Sequence, residues 1–164
     1  LSFKVSTIFA TLVAINNSNT MDFDKILSIS GLGGLHSMKS SNKNGFFVEE
    51  LGNGKVRFIT DISNRVASLD NISIYTTNDA IPLAQIFLTM TERAEELAIP
   101  KASESANNLK AYFTDILPDY DEERVYVSDI KKIIKWYASL SGIKVDFAAV
   151  VKKMEAQEGQ EAQA

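Results

Sequence analysis

Residues 46–60, FFVEELGNGKVRFIT, are two alternating runs joined by an asparagine between glycines. In the first run Phe46, Val48 and Glu50 share one face and Phe47, Glu49 and Leu51 take the other; in the second, Val56, Phe58 and Thr60 alternate with Lys55, Arg57 and Ile59. A period of two is that of a strand, and Asn-Gly readily takes the positive φ angles of a tight hairpin turn. Working outward, a turn at 41–45 joins a strand at 35–39 to Phe46, and residues 69–76, LDNISIYT, read as a further strand with Ile72 and Ile74 inward. So many short strands in one stretch predict a small, strongly bent sheet. Closure into an SH3-like or Tudor-like barrel would remove its exposed edges. The preceding DFDKILSIS, residues 22–30, fits either a short helix stopped by Gly31 or a first strand.

After Thr77 the period lengthens. Pro82 suits a first helical turn, and Leu83, Ile86, Phe87, Met90, Ala94 and Leu97 then recur on one face. A second helix spans about Ser105 to Leu117, with Pro118 as terminator. Ser128 is the expected N-cap of a third, with Asp129 in its first turn and Ile130, Ile133, Ile134, Tyr137 and Leu140 as the buried stripe up to Gly142. A short amphipathic piece follows at 146–154. The expected fold is α+β: a β-barrel module at 21–78, a three- to four-helix module at 79–154, and a disordered polar tail, EAQEGQEAQA, at 155–164.

The chain has 164 residues, 45% hydrophobic and 23% charged, a composition that supports a packed core. With no cysteine it has no disulfide, thiolate metal site or thiol nucleophile, which fits a reducing cytoplasm. Net charge is -4. Residues 21–80 carry six basic and seven acidic side chains, and residues 81–164 carry ten and fourteen, so neither half has the basic excess of a protein held by phosphate charge. The opening stretch LSFKVSTIFATLVAINNSNT has an apolar run from Val5 to Ile15, too short to cross a bilayer, which needs about 20 residues. Because the first methionine is Met21, residues 1–20 read as an upstream extension outside the native protein, with a weak signal peptide or a genuine first element as alternatives.

Four strings resemble an uncharacterised Bacteroidota family with a conserved domain of unknown function and a related carboxy-terminal domain: KILSISGLGGL from Lys25, NGFFVEEL from Asn44, SLDNISIYT from Ser68, and LPDYDEERVYVSDIKKIIKWY from Leu117. The resemblance covers about Met21 to Leu140. It implies lineage and a cytoplasmic location, and no activity.

The last string also has the outline of a calcium loop. Asp119, Asp121 and Glu123 fit positions 1, 3 and 5, but Arg124 stands where the turn needs glycine and Ile130 where it needs a bidentate glutamate. The expectation is a charged helix connection in which Arg124 pairs with an acidic neighbour, and no metal site. Gly31, Gly33 and Gly34 make GxGG before a strand, a turn rather than the strand-to-helix loop of a dinucleotide site. His36, the sole histidine, reads as a partly exposed strand residue. No acid, base or nucleophile constellation announces itself, so the chain reads as non-enzymatic, without cofactor. Trp136 falls on the flank of the third helix's apolar stripe beside Lys132, either covering the core edge or offered to a partner. Lys131, Lys132 and Lys135 line the outer face. The candidate interaction residues are Trp136, Lys132, Arg124 and Tyr126 on the helical side, with Phe47 and Arg57 on the sheet. Lys39, Lys43, Lys55, Arg57 and Arg65 are a candidate basic surface for RNA or a peptide, diluted by Asp61, Asp70, Glu49 and Glu50. The leading expectation is a protein-binding adaptor. The alternative is an RNA- or DNA-associated factor of transcription or translation.

Overall fold

The structure is a computed structural model that describes residues 21–60 and 65–163; the expected upstream extension at 1–20 and Asp61 lie outside them. The hairpin forms as the alternation requires. β3 (Gly45–Glu50) pairs with β4 (Val56–Ile59) with Phe47 opposite Phe58 and Val48 opposite Arg57. The turn takes its positive φ angles at Gly52 and Gly54, 95° and 69°, while the Asn53 side chain accepts the Lys55 N–H at 2.9 Å. β2 (His36–Asn42) pairs with β3, β1 (Ile26–Ile29) with β2, and β5 (Val66–Ser68) with β1, giving an antiparallel sheet in the order β4-β3-β2-β1-β5. The segment 22–30 thus resolves into a 3-10 turn, Phe23–Lys25, followed directly by β1.

The sheet is not closed into a barrel. Its edges β4 and β5 do not pair with each other. β5 is only three residues long and runs straight into a second 3-10 turn, Leu69–Asn71, which draws the chain away before a ladder to β4 develops. Leu27, Ile29, Val48 and Ile59 form its small core. Gly45 is fixed by the hairpin: its φ is 151°, and a Cβ there would sit 2.1 Å from the Ile59 carbonyl oxygen.

The stretch 69–76 is not one strand of that sheet. Leu69 is buried in the 3-10 turn, where the Ser68 hydroxyl donates to the Asp70 carboxylate, and only Ser73–Tyr75 continue as β6. β6 pairs with β7 (Ala80–Pro82) as a separate ribbon. Thr76 closes the ribbon turn: its hydroxyl accepts the Asp79 N–H at 2.9 Å. Pro82 ends β7, and α1 (Leu83–Glu92) starts directly behind it, stopping short of Leu97.

α2 (Ala106–Ile116) is capped by Ser105, whose hydroxyl accepts the Asn108 N–H. α3 (Val127–Gly142) begins ahead of the expected Ser128 cap because the Asp129 carboxylate reaches back to accept the Tyr126 N–H at 3.1 Å. α4 (Phe147–Glu161) is capped by Asp146 and carries the helix through most of the tail expected to be disordered. Its last turns are exposed.

Phe87 on α1 is fully buried and holds the helices together. Its ring packs on Phe147, Tyr137 and Phe23 at centroid distances of 5.3, 6.0 and 6.3 Å. Phe23, Ile26, Leu35 and Leu69 belong to the same apolar cluster as the helices, so the two halves share one large core.

Candidate functional site

Strand alternation turns Ile74 inward, leaving Tyr75 49% exposed on the outer side of β6. The Tyr75 carbonyl accepts the Asp121 N–H at 2.9 Å, and Thr76 bridges to Tyr120, which lashes the α2–α3 connection against the ribbon. Asp121 then organises that connection. Its carboxylate accepts the Glu123 N–H at 2.9 Å and forms a 2.8 Å ion pair with the Arg124 side chain. The Arg124 hydrogen bond holds the Asp121 carboxyl below the usual carboxylate range. The guanidinium in turn lies 4.4 Å from the centre of the Tyr75 ring, a cation–π contact. Arg124 therefore pairs with an acidic neighbour as its sequence context predicts, and that pairing positions it over an aromatic ring.

Between this edge and α3 lies an open concavity of about 210 Å³. Its floor is apolar, from Ile72, Ile74, Val125 and Ile133, and Trp136 forms one wall. Trp136 is half-buried and packs against the helical core, so it covers the core edge and presents a face to the concavity at once. Lys132 stands on the rim one helical turn earlier, 3.9 Å from the Asp129 carboxylate. Tyr126 is 63% exposed at the start of α3. Trp136, Lys132 and Arg124 thus meet in one place, with Tyr126 beside Val125 and Asp129. Tyr75 is the aromatic lining residue that sequence reasoning did not single out. Its signal was present, since the residue after an inward Ile74 must point outward.

Phe47 and Arg57 are not brought into this site, nor together. Phe47 lies opposite Phe58 and Arg57 opposite Val48, so the two alternate onto opposite faces of the sheet. The expected basic surface is likewise divided. Lys39 pairs with Glu49, Lys43 lies in the β2–β3 turn, and Arg65 adjoins β5 at the opposite edge from Lys55 and Arg57.

His36 is buried, 1% exposed, where the sequence suggested partial exposure. It begins the middle strand of the sheet, between Leu27 on β1 and Glu50 on β3, and its Nδ1 has no hydrogen-bond partner. Burial, assisted by Arg57 and opposed by Glu50, holds its pKa below the ordinary histidine value. Gly31 and Gly34, at φ 85° and 76°, make the turn that delivers it. A second concavity, about 270 Å³, lies between the first 3-10 turn and α4. There Asp22 forms ion pairs with Lys25 and Lys153 at 2.9 and 3.4 Å. Among the described residues, no cluster of three or more histidine or acidic side chains is arranged to hold a metal, and no helix is long and apolar enough to cross a membrane.

Two family descriptions match consecutive parts of the chain: "Domain of unknown function (DUF5606)" at residues 23–69 and "Domain of unknown function (DUF6852)" at residues 72–140. They meet at the 3-10 turn where the five-stranded sheet ends, so the β6–β7 ribbon falls with the helices. A solution NMR structure of a protein from Bacteroides vulgatus is 34% identical, with a TM-score of 0.58, over 76% of this chain and 90% of that one. No curated protein matches. The match in sequence, length and fold establishes that the chain belongs to this Bacteroidota family of unknown function, in which the DUF5606 domain is followed by DUF6852.

Proposed function

We propose that the chain is a non-enzymatic cytoplasmic adaptor that docks a protein partner in the concavity between β6 and α3. The observation that carries this reading is the convergence of Trp136, Arg124, Lys132 and Tyr75 on one apolar floor. Tryptophan, tyrosine and arginine are the residues that dominate binding energy at protein interfaces. At about 210 Å³ and open to solvent, the concavity is smaller than the roughly 300–1,000 Å³ of small-molecule sites, and suits a single apolar side chain inserted from a partner surface. Its lining carboxylate, Asp129, already caps α3, and Asp121 behind Arg124 fixes the connection, which favours recognition over acid–base chemistry. The partner segment places an apolar side chain against Trp136 and Ile74 and a carboxylate beside Lys132.

The sheet serves as the second module. Five short antiparallel strands with β5 returned to β1 support a relation to SH3-like and Tudor-like barrels, in an opened form.

Affinity recovery of the tagged chain from lysate of its own organism, with and without nuclease, tests the proposal when run beside Lys132→Glu and Trp136→Ala. A defined protein retained through nuclease and lost with both variants is the expected result. Loss of every partner on nuclease treatment would instead favour the RNA- or DNA-associated reading.

A further inference from the structure

We propose that the outer edge of β4 is a second docking site, which takes an extended, acidic segment of a partner protein as an added strand. The Glu50 N–H donates to the Lys55 carbonyl at 2.9 Å, and the register then commits the backbone groups of Arg57 and Ile59 to β3 as well. Val56 and Phe58 turn their N–H and C=O groups the other way, toward an edge that pairs with no further strand among the described residues. The opposite edge offers less, since β5 has three residues and the Ser68 hydroxyl ties it to the Asp24 carbonyl.

The two faces of β4 specify what an added strand must carry. On one face Val56 and Phe58 are 57% and 41% exposed, and they continue into Phe47, 39% exposed, whose ring centre lies 4.9 Å from that of Phe58. On the other face Lys55 and Arg57 are exposed, and among the described residues neither forms an ion pair. An incoming strand that alternates apolar and acidic residues covers the first face and neutralises the second. A second copy of this chain covers the first face but leaves the second without counter-charges. Antiparallel pairing of two β4 strands sets Arg57 opposite Arg57, and a shift of two residues toward the turn sets it opposite Lys55; like charges directly opposite are destabilising. Basic side chains on an edge strand are a common defence against self-pairing. The same pair of cations that excludes a second copy selects an acidic strand.

Isotope-labelled chain is titrated with two synthetic octapeptides, one alternating valine and glutamate, the other valine and lysine, while backbone amides are followed by NMR. The glutamate peptide is expected to shift and protect the amides of Val56 and Phe58, and the lysine peptide to leave them unchanged. Reversal of both charges, Lys55→Glu with Arg57→Glu, should weaken the glutamate peptide about tenfold and create binding of the lysine peptide. That gain of binding separates lost recognition from a damaged fold. An equal response to both peptides, shifts confined to other strands, or concentration-dependent protection of Val56 and Phe58 without peptide would overturn the proposal, the last by identifying a second copy as the occupant.

Discussion

The large core and the small core of this protein are built on different principles. Around Phe87 the rings of Phe23, Tyr137 and Phe147 close on one another, and segments from the first described turn to α4 contribute. Around Val48 the buried apolar side chains are Leu27, Ile29 and Ile59, with Leu32, Phe46 and Val66 as partial cover. Burial of apolar area is the main favourable term in folding, so the sheet relies on hairpin geometry and on its junction with the large core. The two candidate docking surfaces follow this division: one is a notch in the edge of the large core, the other an unpaired edge of the small one.

The largest expected effect breaks the large core. Phe87→Ala should cost about 3–5 kcal/mol, measured by denaturant unfolding. Because Phe23 and Leu69 share that core, sheet and helices should be lost in one transition. A second, surviving sheet transition would show the small core to be independent.

Gly45→Ala attacks the small core through the backbone. The added Cβ meets a carbonyl oxygen and cannot be accommodated by a rotamer change, and the φ of 151° disfavours a side chain there. About 2–3 kcal/mol is expected. Amide exchange should accelerate in β2 to β4 and stay slow in α1 and α3.

His36 sharpens the contrast by pH. Its folded pKa is depressed by burial, so the unfolded state takes up a proton first on acidification. Stability should be unaffected by this group above about pH 6.5, fall as pH drops below that value, and level off beneath the folded pKa. Denaturant midpoints across this range should show the slope in the wild type and lose it in His36→Gln. Glu50, which opposes the shift, and Arg57, which assists it, are the charged groups facing His36.

The smallest stability effect is expected at the rim of the large core. Lys132→Glu breaks an exposed 3.9 Å contact with Asp129 and should change stability by no more than about 0.5 kcal/mol. Its effect belongs to partner binding alone.

Much of this was legible in the residues. The 46–60 alternation gave the hairpin, and the helical stripes gave α1, α2 and α3, because both depend on local periodicity. Closure of the sheet was not legible, since it depends on where the chain goes after β5, and the turn at Leu69–Asn71 takes it elsewhere. The burial of His36 was hidden for a related reason: a strand residue's exposure is set by its neighbours in the sheet, here β1 and β3. The start of α3 moved ahead of Ser128 because Asp129 caps by reaching backward, a choice between two polar residues that spacing alone does not make. At the site, Trp136, Lys132 and Arg124 stood out individually, but their meeting required the Asp121 N–H bond to Tyr75, a contact across sequence that no periodicity encodes.

The most direct test of the adaptor reading is nuclease-treated affinity recovery with the wild type beside Lys132→Glu, whose fold is expected to be intact. An adaptor docked through this concavity yields a defined protein partner recovered by the wild type after nuclease and lost by the variant. Recovery of the same partner by both chains, with thermal stability equal, would contradict it.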